Sequence, residues 1–210
     1  HQKLMQAMQA APPVALRIGA TKTIGDYILG PAIRRFLDAP DHQLQFLVDN
    51  TAALLHRLEQ GELDFVVLEG VFNKARYDSF LLRNEPYIGI CPPGHPLDGQ
   101  TISPEALLGQ RLILREEGSG TRDLLERALA QCSYTVEAFS GTVCVSSFKV
   151  IRDLVCAGYG ISFVYAAVAA DKPAPGRFFC PPLTGSHELN AVWLKGTDAG
   201  ALARAFVAGL

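Results

Sequence analysis

The chain has 210 residues, 49% of them hydrophobic and 19% charged, enough to bury one large core or the cores of two small lobes. Its formal net charge of -2 offers no general attraction for nucleic acid, so these residues are not expected to touch DNA themselves. No apolar run approaches the length of a bilayer-spanning helix, and the amino terminus lacks the regions of a secretion signal, which points to a cytoplasmic protein without a membrane partner. The five cysteines, Cys91, Cys132, Cys144, Cys156 and Cys180, are scattered and odd in number, as expected of buried thiols in a reducing compartment.

In chain order, His1 to Ala11 carries Leu4, Met5 and Met8 at helical spacing before Ala11-Pro12-Pro13 stops the pattern. Residues 1–12 are therefore read as the end of a preceding linker helix or a tail, with a further domain expected upstream. Leu16 to Ala20 is a short apolar strand, followed by the polar loop Thr21 to Gly25 and a helix bearing Ile28, Leu29, Ala32, Ile33, Phe36 and Leu37. Gln45 to Val48 is the second strand, Asn50-Thr51 a helix cap, and Gly61 the stop before the strand Leu63 to Leu68. Strands separated by helices predict a parallel sheet.

The second half repeats this wiring. Leu112 to Leu114 is a strand, Glu116 to Thr121 a polar loop, Leu124 to Leu129 a helix stripe and Thr142 to Val145 a strand. Ser146-Ser147 caps a helix that Gly158 ends before the strand Ile161 to Tyr165. Between the halves, Pro86 to Ile90 suits a first crossing strand, Leu189 to Leu194 a return strand, and Asp198 to Leu210 a helix packed back on the first half. The expectation is an α/β fold of two Rossmann-like lobes joined by two crossover strands. Residues 13–86 and 188–210 form lobe I, and residues 87–187 form lobe II. Two crossings make a hinge over a ligand.

In such sheets, ligands sit beyond the carboxyl ends of the strands. Four loops there carry hydroxyls or amides: Thr21 and Thr23, Asn50 and Thr51, Ser119 and Thr121, Ser146 and Ser147. The helix starts add free N–H groups and positive dipole ends that favour a carboxylate or oxyanion. Gly25, Gly118 and Gly120 let the backbone come close. Lys22 and Arg122 add positive charge, and Arg122 has a fork suited to a carboxylate. Glu69, at the end of the third strand, would oppose an anion unless paired or protonated; it either holds an amino group of a zwitterionic ligand or locks Lys22 or Arg122. For each loop taken singly, ordinary helix capping is the competing explanation.

Signals of catalysis, cofactor or metal do not assemble. Gly118-Ser-Gly-Thr121 is neither a nucleophile elbow nor a phosphate-binding P-loop, and Ala157-Gly-Tyr-Gly160 enters a strand rather than leaving one. The five histidines are dispersed, and Cys91 and His95 share a Pro-Gly turn without further ligands. Glu116 and Glu117 have no evident nucleophile or orienting partner. No catalytic residue, cofactor or metal site is expected.

Arg17-Ile-Gly-Ala-Thr with Ile28-Leu-Gly-Pro, Leu58-Glu-Gln-Gly-Glu-Leu-Asp-Phe, Pro92-Pro-Gly-His-Pro-Leu and Val155-Cys-Ala-Gly-Tyr-Gly-Ile resemble, in order and spacing, the effector-binding domain of LysR-type transcriptional regulators. Arg115-Glu-Glu-Gly-Ser-Gly-Thr-Arg and Leu68-Glu-Gly are similar to the branch of sulfur and carbon assimilation regulators. The resemblance implies a fold like that of type 2 periplasmic binding proteins and a homodimer or homotetramer. DNA would be held only through an amino-terminal helix-turn-helix domain. It also implies an effector between the lobes, on Thr21, Thr23, Ser119 and Thr121, with Asn50, Thr51 and Ser147 nearby. Lys22 between the threonines and Gly30 before Pro31 depart from the usual pattern, so a relative's effector does not transfer. The favoured effector is a small anion, with a zwitterion admitted by Glu69. A transporter's solute-binding protein and an enzyme of the same architecture, such as a dehydratase or deaminase, are the rival readings.

Overall fold

The computed structural model describes residues 14–210; the segment 1–12 read as linker helix or tail lies outside the described residues. The first lobe opens with β1 (Ala15–Ala20), α1 (Lys22–Tyr27), α2 (Gly30–Leu37), β2 (Gln43–Val48), α3 (Thr51–Glu59) and β3 (Phe65–Glu69). β1 lies between β2 and β3 and runs parallel to both, with Ile18 opposite Phe46 on one side and Phe65 on the other. Every residue of β3 is buried, which is why it reads as a continuous apolar run rather than an alternating one.

The pattern predicts a polar loop from Thr21 to Gly25 and one helix running to Leu37. Instead, helix begins at Lys22, directly after Thr21, and is interrupted between Tyr27 and Gly30. Pro31 explains the break, because proline lacks the N–H that a continuous helix needs and is accommodated in a new first turn. Gly25 sits inside α1, where a Cβ would come within 2.6 Å of Val48 Cγ2. Its role is close packing of α1 on β2, not approach to a ligand.

The chain then runs through β4 (Tyr77–Cys91), α4 (Pro104–Leu107), β5 (Arg111–Leu114), α5 (Gly120–Gln131), β6 (Gly141–Cys144), α6 (Phe148–Cys156), β7 (Ser162–Tyr165), α7 (Ala166–Ala169), β8 (Gly176–Phe178), β9 (Gly185–Leu194) and α8 (Ala199–Val207). β5 pairs in parallel with β6 and is bridged to the start of β7 through Leu112 and Ile161. Ile113 N donates to Ile161 O at 2.8 Å, and Ile161 N to Arg111 O at 2.9 Å. β5 thus occupies the place in lobe II that β1 occupies in lobe I. β9 lies antiparallel to β3, and β4 antiparallel to β7. The two lobes share one arrangement, β2-β1-β3-β9 and β6-β5-β7-β4, and β4 pairs with β9 to join them.

Both crossing strands are longer than their apolar stretches suggest: β4 starts at Tyr77 rather than near Pro86, and β9 at Gly185 rather than Leu189. Residues 77–85 include five polar or charged positions, and exposed positions recur along them. An antiparallel pair with one face in water needs no apolar run. In lobe I, Ile18, Ile24, Leu29 and Phe65 are fully buried, and α8 returns to set Phe206 edge-on to Phe65 at 5.9 Å. In lobe II, Ile90, Ile113, Ile151, Val155 and Val164 are fully buried. Each such aliphatic side chain contributes roughly 1.5–3 kcal/mol by leaving water. Among the described residues, no helix is long and apolar enough to cross a membrane.

Candidate functional site

The helix-start residues are placed by local hydrogen bonds. Asn50 Oδ1 accepts from Ala53 N at 2.9 Å, Ser119 Oγ from Arg122 N at 3.4 Å and Ser147 Oγ from Val150 N at 3.4 Å. These three side chains therefore serve as caps, each offsetting an orphan N–H of its helix. Thr21 holds the same position at α1 without capping it; its Oγ1 donates instead to Glu69 Oε2 at 3.1 Å. Ser119 Oγ and Thr121 Oγ1 are 2.9 Å apart, and Thr121 O accepts from Tyr87 OH at 2.9 Å.

The lobes meet at these strand ends. Gly120 of lobe II packs so closely on Glu69 of lobe I that a Cβ would lie 3.1 Å from Glu69 Cγ and 3.2 Å from Oε1. Lys22 Nζ reaches across to donate to Ser146 O at 2.7 Å, and the Tyr27 ring meets Phe148 edge-on at 6.3 Å. Thr21, Thr23, Glu69, Ser119 and Thr121 are all buried.

The expected cations are occupied elsewhere. Arg122 pairs with Glu126 at 2.8 Å, donates to Arg115 O at 3.2 Å and lies 3.7 Å from Glu117. Lys22 is committed to Ser146 O. Neither makes the predicted lock with Glu69, whose hydrogen-bond partner is Thr21. The reason is proximity: Glu126 lies four residues from Arg122 on one helix face, a pairing that costs little ordering. Arg115 is buried, forks onto Glu116 at 2.7 and 2.8 Å and stacks 4.4 Å over Phe148. Burial pushes the Glu69 carboxyl up to about 7, against the opposing effects of the Thr21 hydrogen bond and the Arg115 charge.

A cavity of 80 Å³ opens beside Glu69, bounded by Thr51, Gly118, Gly120, Asp123 and Arg127. An adjoining 310 Å³ cavity shares Gly70, Val71 and Leu124 with it and extends to Lys74, His187 and Asn190. A larger apolar groove of 380 Å³ lies along α2 and α8, lined by Leu16, Phe36, His42 and Phe206. It is not at the strand ends. Among the described residues, Thr51 Oγ1, Thr23 Oγ1 and Tyr165 OH are buried without a hydrogen-bond partner, and buried polar groups of this kind are uncommon in native folds.

The structure brings together Thr21, Glu69 and Gly120, with Ser119 and Thr121 hydrogen-bonded beside them and Thr51 on the cavity wall. Lys22 bonds the Ser146 carbonyl just before α6, which Ser147 caps, Thr23 is wholly buried in α1, Asn50 is exposed and Arg122 is held by its own helix. Sequence reasoning missed Tyr87, Tyr165, Asp123 and Arg127. The last two had a signal: Gly120, Asp123, Leu124 and Arg127 fall at i, i+3, i+4 and i+7 on one helix face, and all four line the cavity. The tyrosines lie on crossing and core strands with no local mark of function.

A family profile described as "LysR substrate binding domain" matches residues 11–210. The HTH-type transcriptional regulator CbbR of Sinorhizobium medicae is 30% identical over 164 residues, covering 77% of this chain and 51% of that protein. CysL of Bacillus subtilis, also an HTH-type transcriptional regulator, is 28% identical over 73% of this chain and 51% of its own length. The chain thus spans about half the length of these relatives. Among solved structures, the Synechocystis CcmR regulatory domain in complex with 2-PG superposes with a TM-score of 0.82 at 19% identity, covering 92% of this chain and 96% of that one.

Proposed function

Because the chain belongs to the LysR substrate-binding domain family, we propose that it is the effector-sensing part of a DNA-binding transcriptional regulator and takes a small carboxylate or oxyanion between its lobes. The observation that carries this is the meeting of the lobes at the strand ends, where Glu69 of β3 touches both Thr21 and Gly120. A ligand there contacts both lobes at once, so its affinity differs between open and closed arrangements and shifts their balance. The Thr51 hydroxyl, on the cavity wall and without a hydrogen-bond partner among the described residues, supplies hydrogen-bonding capacity that the described residues do not use. The naming of the relatives CbbR and CysL as transcriptional regulators supports sensing over turnover, and CcmR gives a precedent, in that protein, for a complex with a small molecule. On this reading DNA contact, in the cytoplasm, belongs to a helix-turn-helix domain of the whole regulator, which works as a homodimer or homotetramer.

A thermal-shift panel tests the effector class. Sulfate, phosphate and short carboxylates are compared with uncharged metabolites; a ligand at a hundred times its Kd stabilises by about 2.7 kcal/mol. Stabilisation by a small anion supports the reading. Silence from every anion with strong stabilisation by an uncharged compound overturns it.

A further inference from the structure

Glu69 ends β3 almost wholly enclosed, 4% exposed, with its two oxygens in different company. Oε2 accepts the Thr21 hydroxyl at 3.1 Å. Oε1 faces Gly120, at 3.2 Å from where a Cβ would stand, and takes no hydrogen bond among the described residues. The same side chain lines the 80 Å³ cavity, with Asp123 as a second carboxylate on its wall. Arg127 also borders it and forms no ion pair or side-chain hydrogen bond among the described residues. The cations nearest in sequence to the cleft loops, Lys22, Arg115 and Arg122, are held by Ser146, Glu116 and Glu126.

A cavity wall of this composition does not suit a bare anion. Its carboxyl oxygens accept hydrogen bonds and, when ionised, repel negative charge, while the Arg127 guanidinium attracts it. The complement is a molecule with an acidic end and a donor close by. Resting on the cleft reading above, we propose that Glu69 is the specificity-determining residue of the site and selects small acids that carry a hydroxyl or ammonium group beside the carboxylate, α-hydroxy or α-amino acids. Glu69 Oε1 accepts from that donor, and Arg127 meets the carboxylate. The cavity confines the recognised head to a few non-hydrogen atoms; a longer acid extends toward Lys74, His187 and Asn190.

The test is calorimetric titration of the chain with acetate, glycolate and glycine, and with propionate, lactate and alanine, which differ within each set only at the α position. The donor-bearing members bind about tenfold tighter or more than acetate and propionate, and whether hydroxyl or ammonium leads identifies which of the two donor types the site prefers. Glu69→Leu removes the acceptor and brings the ratios to near one. Glu69→Gln keeps the shape of the side chain and lowers the preference for glycine over acetate, so the proposal stays testable if the leucine variant does not fold. Equal binding of acetate and glycolate with no gain for glycine, or ratios unchanged in the Glu69 variants, overturns it. Thr121→Val separates the two failures: if it weakens every acid while the ratios ignore Glu69, only this inference falls. If no acid of either set binds, this inference falls, and the sulfate and phosphate arms of the thermal-shift panel decide whether the cleft reading falls with it.

Discussion

Replacing Glu69 with glutamine is expected to remove a pH dependence that the wild-type chain carries in its fold. Glu69 is 4% exposed, and burial moves its carboxyl from the ordinary 4.5 to about 7. Between those values the folded chain holds a proton that the unfolded chain has released. The stabilisation tied to that proton is fully present below about pH 4.5 and lost as the pH rises through 7. The gap corresponds to about 3 kcal/mol. The amide introduced by Glu69→Gln imitates the protonated carboxyl at every pH, so the stability difference, variant minus wild type, grows by about 2 to 3 kcal/mol from pH 5 to pH 8, or roughly 5–10 °C in Tm for a domain of this size. Asp26, which burial pushes up, and His187, which burial pushes down, are present in both proteins and cancel in the comparison. Urea unfolding of both at pH 5, 6, 7 and 8, in buffers free of small carboxylates, reads the difference from midpoints at constant m. A difference that stays constant, or shrinks as the pH rises, would refute the claim that the ionised carboxylate is uncompensated in the fold.

Tyr165→Phe deletes a buried hydroxyl that has no hydrogen-bond partner among the described residues. The ligand-free chain should unfold at equal or higher urea, with a gain of up to about 2 kcal/mol; lower stability in the variant would show that the hydroxyl is satisfied in solution. Thr121→Val breaks the 2.9 Å contact with Ser119 Oγ but leaves the Tyr87 bond to the Thr121 carbonyl. Effector binding should weaken by roughly 1–3 kcal/mol with the far-ultraviolet circular dichroism unchanged, and unaltered affinity by calorimetry would remove Thr121 from the site.

The parts of this protein that the amino-acid order made legible are those settled within a few residues. Asn50, Ser119 and Ser147 cap their helices through bonds to the amide three positions on, and Gly61 and Gly158 end theirs with φ of +73° and +88°, where other residues are strained. The repeated strand-helix wiring followed from such punctuation. Partner choice over long separations did not: Lys22 bonds a carbonyl 124 positions away, which no local pattern encodes. Arg122 is the opposite lesson, since Glu126 stands four residues on and competes directly with any role in the cleft. The break before Pro31 was likewise written in the chain. Tyr87 was illegible because an apolar strand hides which of its side chains reaches a distant loop, here the Thr121 carbonyl.

Each lobe's sheet is finished by a strand sent from elsewhere in the chain: β9 reaches β3 only after the chain has traced lobe II, and β4 leaves lobe I to flank β7. A fragment ending before Gly185 would strip β3 of its neighbour along Val66 to Glu69, and one beginning after Cys91 would do the same to β7. Bare edges of that kind invite aggregation rather than independent folding. Each half therefore depends on the shared ribbon, since neither sheet is complete without the strand that the other half's connection delivers. A ligand held in the proposed cleft would therefore clasp two halves that already share their edge strands.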